Sequence, residues 1–189
     1  MKRSKKDSRN TRIGAAACLH YRMEVLVSDV DDTVRRAGGF MFDRAALGWT
    51  VIAIVPPECD LRPLAILGVH VVTIDDELSI DDWPAPTVMV IPTNYHTDSE
   101  PMRRRLQVAR GHHSQILTWP AGDHRPRPTT AAAMVHHQLS SAAYAFKAHA
   151  VIALGLPGAL ETIEHFQSTA TTTVAPPIAL APGMPADSA

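Results

Sequence analysis

The sequence is poor in cysteine, in aromatic residues and in long apolar runs. Its two cysteines, Cys18 and Cys59, cannot build a disulfide framework, and neither lies in a CxxC motif. A reducing, cytoplasmic compartment is the expectation that follows. No apolar run reaches the ~18 residues that a membrane span needs. The stretch from Gly14 to Leu19 is too short for a secretory signal. Charge of one sign is missing as well: 18 Lys and Arg stand against 19 Asp and Glu, a formal net charge of -1. That balance gives no case for nucleic acid or an anionic membrane as a partner. Aromatic residues make up 5% of the chain, and the hydrophobic fraction of 46% is enough for a packed core. A length of 189 residues suits one domain with flexible ends.

The ends differ from the middle. Residues 1–22 carry Lys2, Arg3, Lys5, Lys6, Arg9 and Arg12 with Asp7 as the opposing acid, and read as a disordered basic segment. Met23, at the head of the first strand, is an alternative start. Residues 168–189 are rich in Ala, Thr and Pro with Asp187 as their one charge, and read as a disordered tail. The folded domain is expected over 23–167.

Within it, short β-rich apolar runs recur: 24–28, 50–55, 69–74, 87–91 and 115–119, with 149–154 ambiguous between strand and helix. Several stop at acids or prolines. Helical stretches fall between them over 36–47, 61–67, 100–110 and 129–146, the third with Ser99 as its expected N-cap and Pro101 in its first turn. This alternation predicts an α/β, Rossmann-like, mostly parallel sheet flanked by helices. Ligands of such sheets bind at the carboxyl ends of the strands. That edge gathers Asp29, Asp31 and Asp32 after the first strand, Asp75 and Asp76 after the third, and Asn94 to Ser99 after the fourth.

The acidic triplet is the feature with chemistry in it. Carboxylates crowded at one strand end repel one another unless a cation, a shared proton or a helix N-terminus offsets the repulsion. A solvated loop that merely caps the next helix is the alternative.

The first unit, VLVSDVDDTVRRAGGFMFDRAALGWTVIAIV, resembles the opening of the LmbE-like deacetylases, also called the PIG-L or N-acetylglucosaminyl-phosphatidylinositol de-N-acetylase family. Asp31-Asp32 takes the place of the Asp-Asp in that family's His-Pro-Asp-Asp-Glu motif. Gly38-Gly39 takes the place of its helix-opening Gly-Gly. RPLAILGVHVVTID and APTVMVIPTNYHTDSEPMRRRL are similar to later parts, so the likeness runs from about Glu24 to Arg110.

The resemblance implies a metal-dependent hydrolase acting on an N-acetylated amino sugar or a related amide, a small-molecule substrate. It makes Asp31 the general base, His96 the assisting acid, and Asp29, Asp32 and Ser99 the occupants of the three metal-ligand positions. The metal it implies is zinc. Asp29 and Ser99 stand where the family has histidines, Thr33 where it has Glu and Val30 where it has Pro. The motifs are therefore degenerate, and the Asp-Asp-Ser set suits a harder ion such as Mg or Mn better than zinc.

Two other readings stand beside this one. SDVDDTV also fits the DxDx[TV] motif of the haloacid dehalogenase phosphatases, with Asp29 as nucleophile, Asp31 as acid-base, and Asp75, Asp76 and Asp81 as acidic metal residues around Mg²⁺. Against it, Val55-Pro56-Pro57 stands where that family has Ser or Thr, no lysine lies between Lys6 and Lys147, and little room is left for a flap. The third reading is a catalytically inactive protein with the LmbE-like fold.

Among the ten histidines, the adjacent pairs His112-His113 and His136-His137 point to different sides of whatever element holds them, so one ion rarely takes both. Asp123-His124 is a spare ligand pair in a loop. Arg103-Arg104-Arg105 reads as a solvated helix face with one arginine against an acid. Trp83 and Trp119 lie near strand ends, where packing is the default and stacking on a sugar the alternative.

Overall fold

A computed structural model describes residues 21–74, 80, 83–93, 95, 100–120, 132–155 and 159–168. They form seven strands and four helices. The chain order is β1 (Arg22–Leu26), α1 (Val30–Ala46), β2 (Thr50–Val55), α2 (Arg62–Ile66), β3 (His70–Thr73), β4 (Val88–Pro92), α3 (Glu100–Gly111), β5 (Gln115–Trp119), β6 (Ala133–Gln138), α4 (Ser141–Ala153) and β7 (Ile163–Ser168).

The strands make one sheet in the order β3-β2-β1-β4-β5-β7-β6. β1 to β5 are parallel, whereas β7 runs antiparallel to both β5 and β6. The sheet is thus α/β and mostly parallel, as the sequence predicts.

Burial on both faces of the central strands explains their apolar runs. Met23, Val25 and Val27 of the first strand segment join Val34, Phe40, Leu64, Val151 and Phe166 in the larger core. Leu26 looks the other way, toward Ile52, Ile54, Ile80 and Met102. Glu24 is fully buried, and the equally buried Arg105 of α3 holds it at 2.6 Å and 2.8 Å. Arg105 also donates to the carbonyl oxygen of Trp83 at 3.0 Å, which fixes the segment before β4.

α1 begins earlier than the expected 36–47. Asp29 has an extended backbone (φ -145, ψ 127), and its side chain accepts a hydrogen bond from the Asp32 N–H at 2.8 Å. A capping acid this close to the strand starts the helix at once. Gly38-Gly39 consequently sits inside α1 instead of opening it. The pair keeps a trace of the expected role, because the N–H groups of Gly39 and Phe40 each donate to Glu164 of β7 at 2.8 Å. Amides that bind an external carboxylate behave like those of a helix N-terminus. A Cβ on Gly39 would meet Leu139 at 2.4 Å, so any larger residue there would force Leu139 to shift.

The second half departs further. The Ala-rich stretch 129–146, expected as helix, contains β6, and α4 begins only at Ser141. The Ser140 hydroxyl oxygen caps α4 by accepting from the Ala143 N–H at 3.0 Å, and in turn donates to Asp43 of α1 at 2.6 Å. The ambiguous 149–154 run is the end of this helix. β7 was not expected. Ser99, Asn94, Asp75, Asp76, Asp81, Asp123 and His124 lie outside the described residues.

Candidate functional site

The sheet order places a topological switch between β1 and β4. From β1 the chain runs to β2 and β3 on one side, then crosses to β4 on the other. The crevice outside the carboxyl ends of these two strands is where open α/β sheets bind ligands. Asp29, Asp31 and Asp32 occupy its β1 side, as the sequence reading places them.

Their environments differ. Asp29 is exposed, but one of its carboxylate oxygens is the N-cap acceptor. Its main-chain carbonyl oxygen also accepts from the Thr33 hydroxyl at 2.7 Å. Asp32 reaches the end of β5, where the indole N–H of Trp119 donates to its Oδ2 at 2.7 Å. Its Oδ1 faces the Arg36 guanidinium at 3.7 Å, one helical turn on. Asp31 is half-buried, and its carboxylate has no polar partner among the described residues. All three acids lie at the positive end of the α1 dipole, which offsets part of their mutual repulsion.

Two neighbours record this setting. Cys59, beyond β2, has its thiol pKa pushed up by burial and then by the negative charge of Asp29. Burial likewise raises the Tyr95 phenol, beyond β4.

Trp119 is fully buried, which removes it as a surface for stacking on a sugar. Its ring packs in the core and its N–H is spent on Asp32. The signal for that pairing is tertiary: an indole donor at the end of one strand and a carboxylate after another, 87 residues apart. Trp83 is half-buried beneath Arg22, whose guanidinium lies 4.5 Å from its ring centre. The arginine run resolves into Arg105 against Glu24 in the interior and Arg103 against Glu100 at 2.6 Å on the surface. His136 and His137 do point to opposite faces of β6: His137 reaches Asp43 at 2.9 Å, and His136 reaches His165 of β7 at 2.7 Å.

His96 and Ser99 lie outside the described residues. Among the described residues, no group of three His, Cys, Asp or Glu side chains is placed to hold a metal ion. Asp29 spends an oxygen on the helix cap. Both oxygens of Asp32 face protein donors, one of them a guanidinium whose positive charge opposes a cation. Asp29 and Asp32 thus offer a cation only part of their donor capacity, Asp29 chiefly through its second oxygen. No helix among the described residues is long and apolar enough to cross a membrane.

Sheet order, helix placement and an acidic turn at the switch point define an α/β protein with the architecture of LmbE-like deacetylases. The solved structure of a deacetylase–teicoplanin complex from the teicoplanin biosynthesis pathway matches with a TM-score of 0.51 and 12% identity, over 78% of this chain and 97% of that one. The A40926 pseudoaglycone deacetylase matches with the same TM-score of 0.51 and 12% identity, over 78% and 96%. No family model and no curated protein matches the sequence. At such identity the likeness fixes the fold and leaves the chemistry to the residues themselves.

Proposed function

We propose that this chain is a deacetylase-type hydrolase of the LmbE-like class, acting on the N-acyl group of an amino sugar conjugate or a related amide. The observation that carries the reading is the division of labour in the triplet. Asp29 caps the helix, Asp32 is pinned to Trp119, and Asp31 keeps a carboxylate that meets no protein donor among the described residues. The fold shared with two glycopeptide deacetylases supports the substrate class.

In this reading Asp31 takes a proton from a water molecule as that water adds to the amide carbonyl. The C–N bond then breaks, the amine leaves with a proton, and a carboxylic acid is released. By the family resemblance, His96 delivers the proton to the amine. By the same resemblance, a divalent metal held by Asp29, Asp32 and Ser99 would lower the pKa of the water and polarise the amide carbonyl, with Asp31 taking the proton.

A second reading has its own observation. With two of the three acids engaged within the protein, the edge is suited to binding an amino sugar without cleaving it. One experiment separates the two. The purified chain is incubated with a panel of N-acetylglucosamine conjugates, and free amine and acetate are measured beside calorimetric binding. Hydrolysis that falls by roughly 100-fold or more in Asp31→Asn supports the enzyme. Hydrolysis indifferent to Asp31→Asn overturns it. Saturable binding with no product release supports the binding protein.

A further inference from the structure

We propose that His136 and His165 form a binding site for a single first-row transition-metal ion, on the sheet face opposite α1 and α4 and independent of the acidic triplet. The two residues are register partners on the antiparallel strands β6 and β7. Their Nδ1 atoms lie 2.7 Å apart, and their rings meet edge-on with centres at 4.8 Å and planes at 84°.

Two Nδ1 atoms this close need either a proton between them or a cation in front of them. Where both rings carry their proton on Nε2, both Nδ1 lone pairs converge, and an ion removes that repulsion. Imidazole is a borderline donor that suits Cu, Ni and Zn. With metal–nitrogen bonds of about 2.0–2.1 Å, the observed separation corresponds to a nitrogen–metal–nitrogen angle of roughly 80–85°. That is near the right angle of tetragonal Cu(II) or Ni(II) and well short of a tetrahedral zinc angle.

Strand alternation puts Met134, Gln138, Ile163 and Gln167 on the same face, and none of the four carries a charge. His137, which does pair with an acid, points to the other face. His136 is exposed, so an ion can reach the pair and keep water or an outside ligand at its remaining positions. The site is also rigidly framed. Glu164 and Phe166, on either side of His165, are buried in the core.

The test is calorimetry and electron paramagnetic resonance on the full chain with Cu(II), above the ordinary imidazole pKa. Three variants are compared with the native protein: His136→Asn, His165→Asn, and the pair His112→Asn/His113→Asn. The expected result is one tight equivalent with at least two nitrogen ligands in the native protein. The same site should persist in the His112/His113 variant. In either His136→Asn or His165→Asn it should weaken by roughly tenfold or more, because the second imidazole no longer acts as an intramolecular ligand. Circular dichroism establishes that each variant is folded; both side chains lie on the outer face, His136 exposed and His165 half-buried, and asparagine is a mild change there. Copper binding that survives both single substitutions, or that vanishes in the His112/His113 variant, overturns the proposal. Absence of a tight equivalent in the native protein does so too, and leaves an imidazole–imidazole hydrogen bond only.

Discussion

Removing the indole donor from Asp32 is the perturbation that reports most directly on the acidic edge. Trp119→Phe deletes an N–H that donates at 2.7 Å to a carboxylate whose side chain is 22% exposed. A hydrogen bond to a charged group contributes about 1.5–3 kcal/mol, and partial access to water favours the lower part of that range. Shrinking a fully buried indole to a phenyl ring adds about 1–2 kcal/mol for lost contacts and the space left behind. The single substitution should therefore cost about 3 kcal/mol, or several degrees in melting temperature for a domain of this size. The packing loss is unrelated to Asp32, so a double-mutant cycle with Asp32→Ala isolates the pair. Asp32→Ala also removes the Arg36 contact, but that loss occurs in both backgrounds and cancels. Urea denaturation of the four proteins should give a coupling of about 1.5–2 kcal/mol. A coupling below about 0.5 kcal/mol would mean that the bond does not hold Asp32, and the argument that Trp119 positions this acid would fail.

Other perturbations probe the same framework. In a Cys18→Ser background, alkylation of Cys59 should rise with pH through a midpoint above the ordinary thiol value, because the thiolate is the nucleophile. Asp29→Asn should lower that midpoint only in part, since burial is the larger cause; a full return to the ordinary value would refute that order. Lys147→Met strips the cation held 2.7 Å from buried Glu164 and should cost about 3–5 kcal/mol in chemical denaturation. Adding Glu164→Gln should recover part of the loss. Gly39→Ala should destabilise by about 1–3 kcal/mol, because its Cβ would sit 2.4 Å from Leu139. Gly38→Ala should be neutral or stabilising by up to about 1 kcal/mol, since its nearest contact would be an ordinary 3.4 Å. Equal effects at the two glycines would contradict the packing described.

The central parallel strands were legible because they are buried on both faces, and that leaves uninterrupted runs such as Thr50–Val55 and Gln115–Trp119. The antiparallel half was not. β6 reads AMVHHQ and β7 reads IEHFQS, half-exposed segments in which polar residues break the run. Their strand character comes from pairing with each other, which no local pattern announces. The Ala-rich context of β6 pointed to helix, and tertiary pairing overrode it. The position of the acidic triplet followed from the strand end and the parallel-sheet rule. The partition of its roles did not, because the Trp119 donor and the helix cap are contacts in space. The pairing of His136 with His165 was hidden for the same reason, whereas the opposed directions of His136 and His137 were readable from their adjacency.

The grip of Glu164 on α1 bears on how the molecule is made. Gly39 and its acceptor are 125 residues apart, and Lys147 meets the same carboxylate. Until β7 is available, two amides of the first helix lack their acceptor and a buried lysine lacks its counter-charge. Closing so long a loop is slow, so this contact belongs late in folding. A chain cut short before Glu164 would keep every strand of the parallel half and leave the Gly39 and Phe40 amides of α1 without their acceptor. The last strand thereby completes the hydrogen bonding of the first helix.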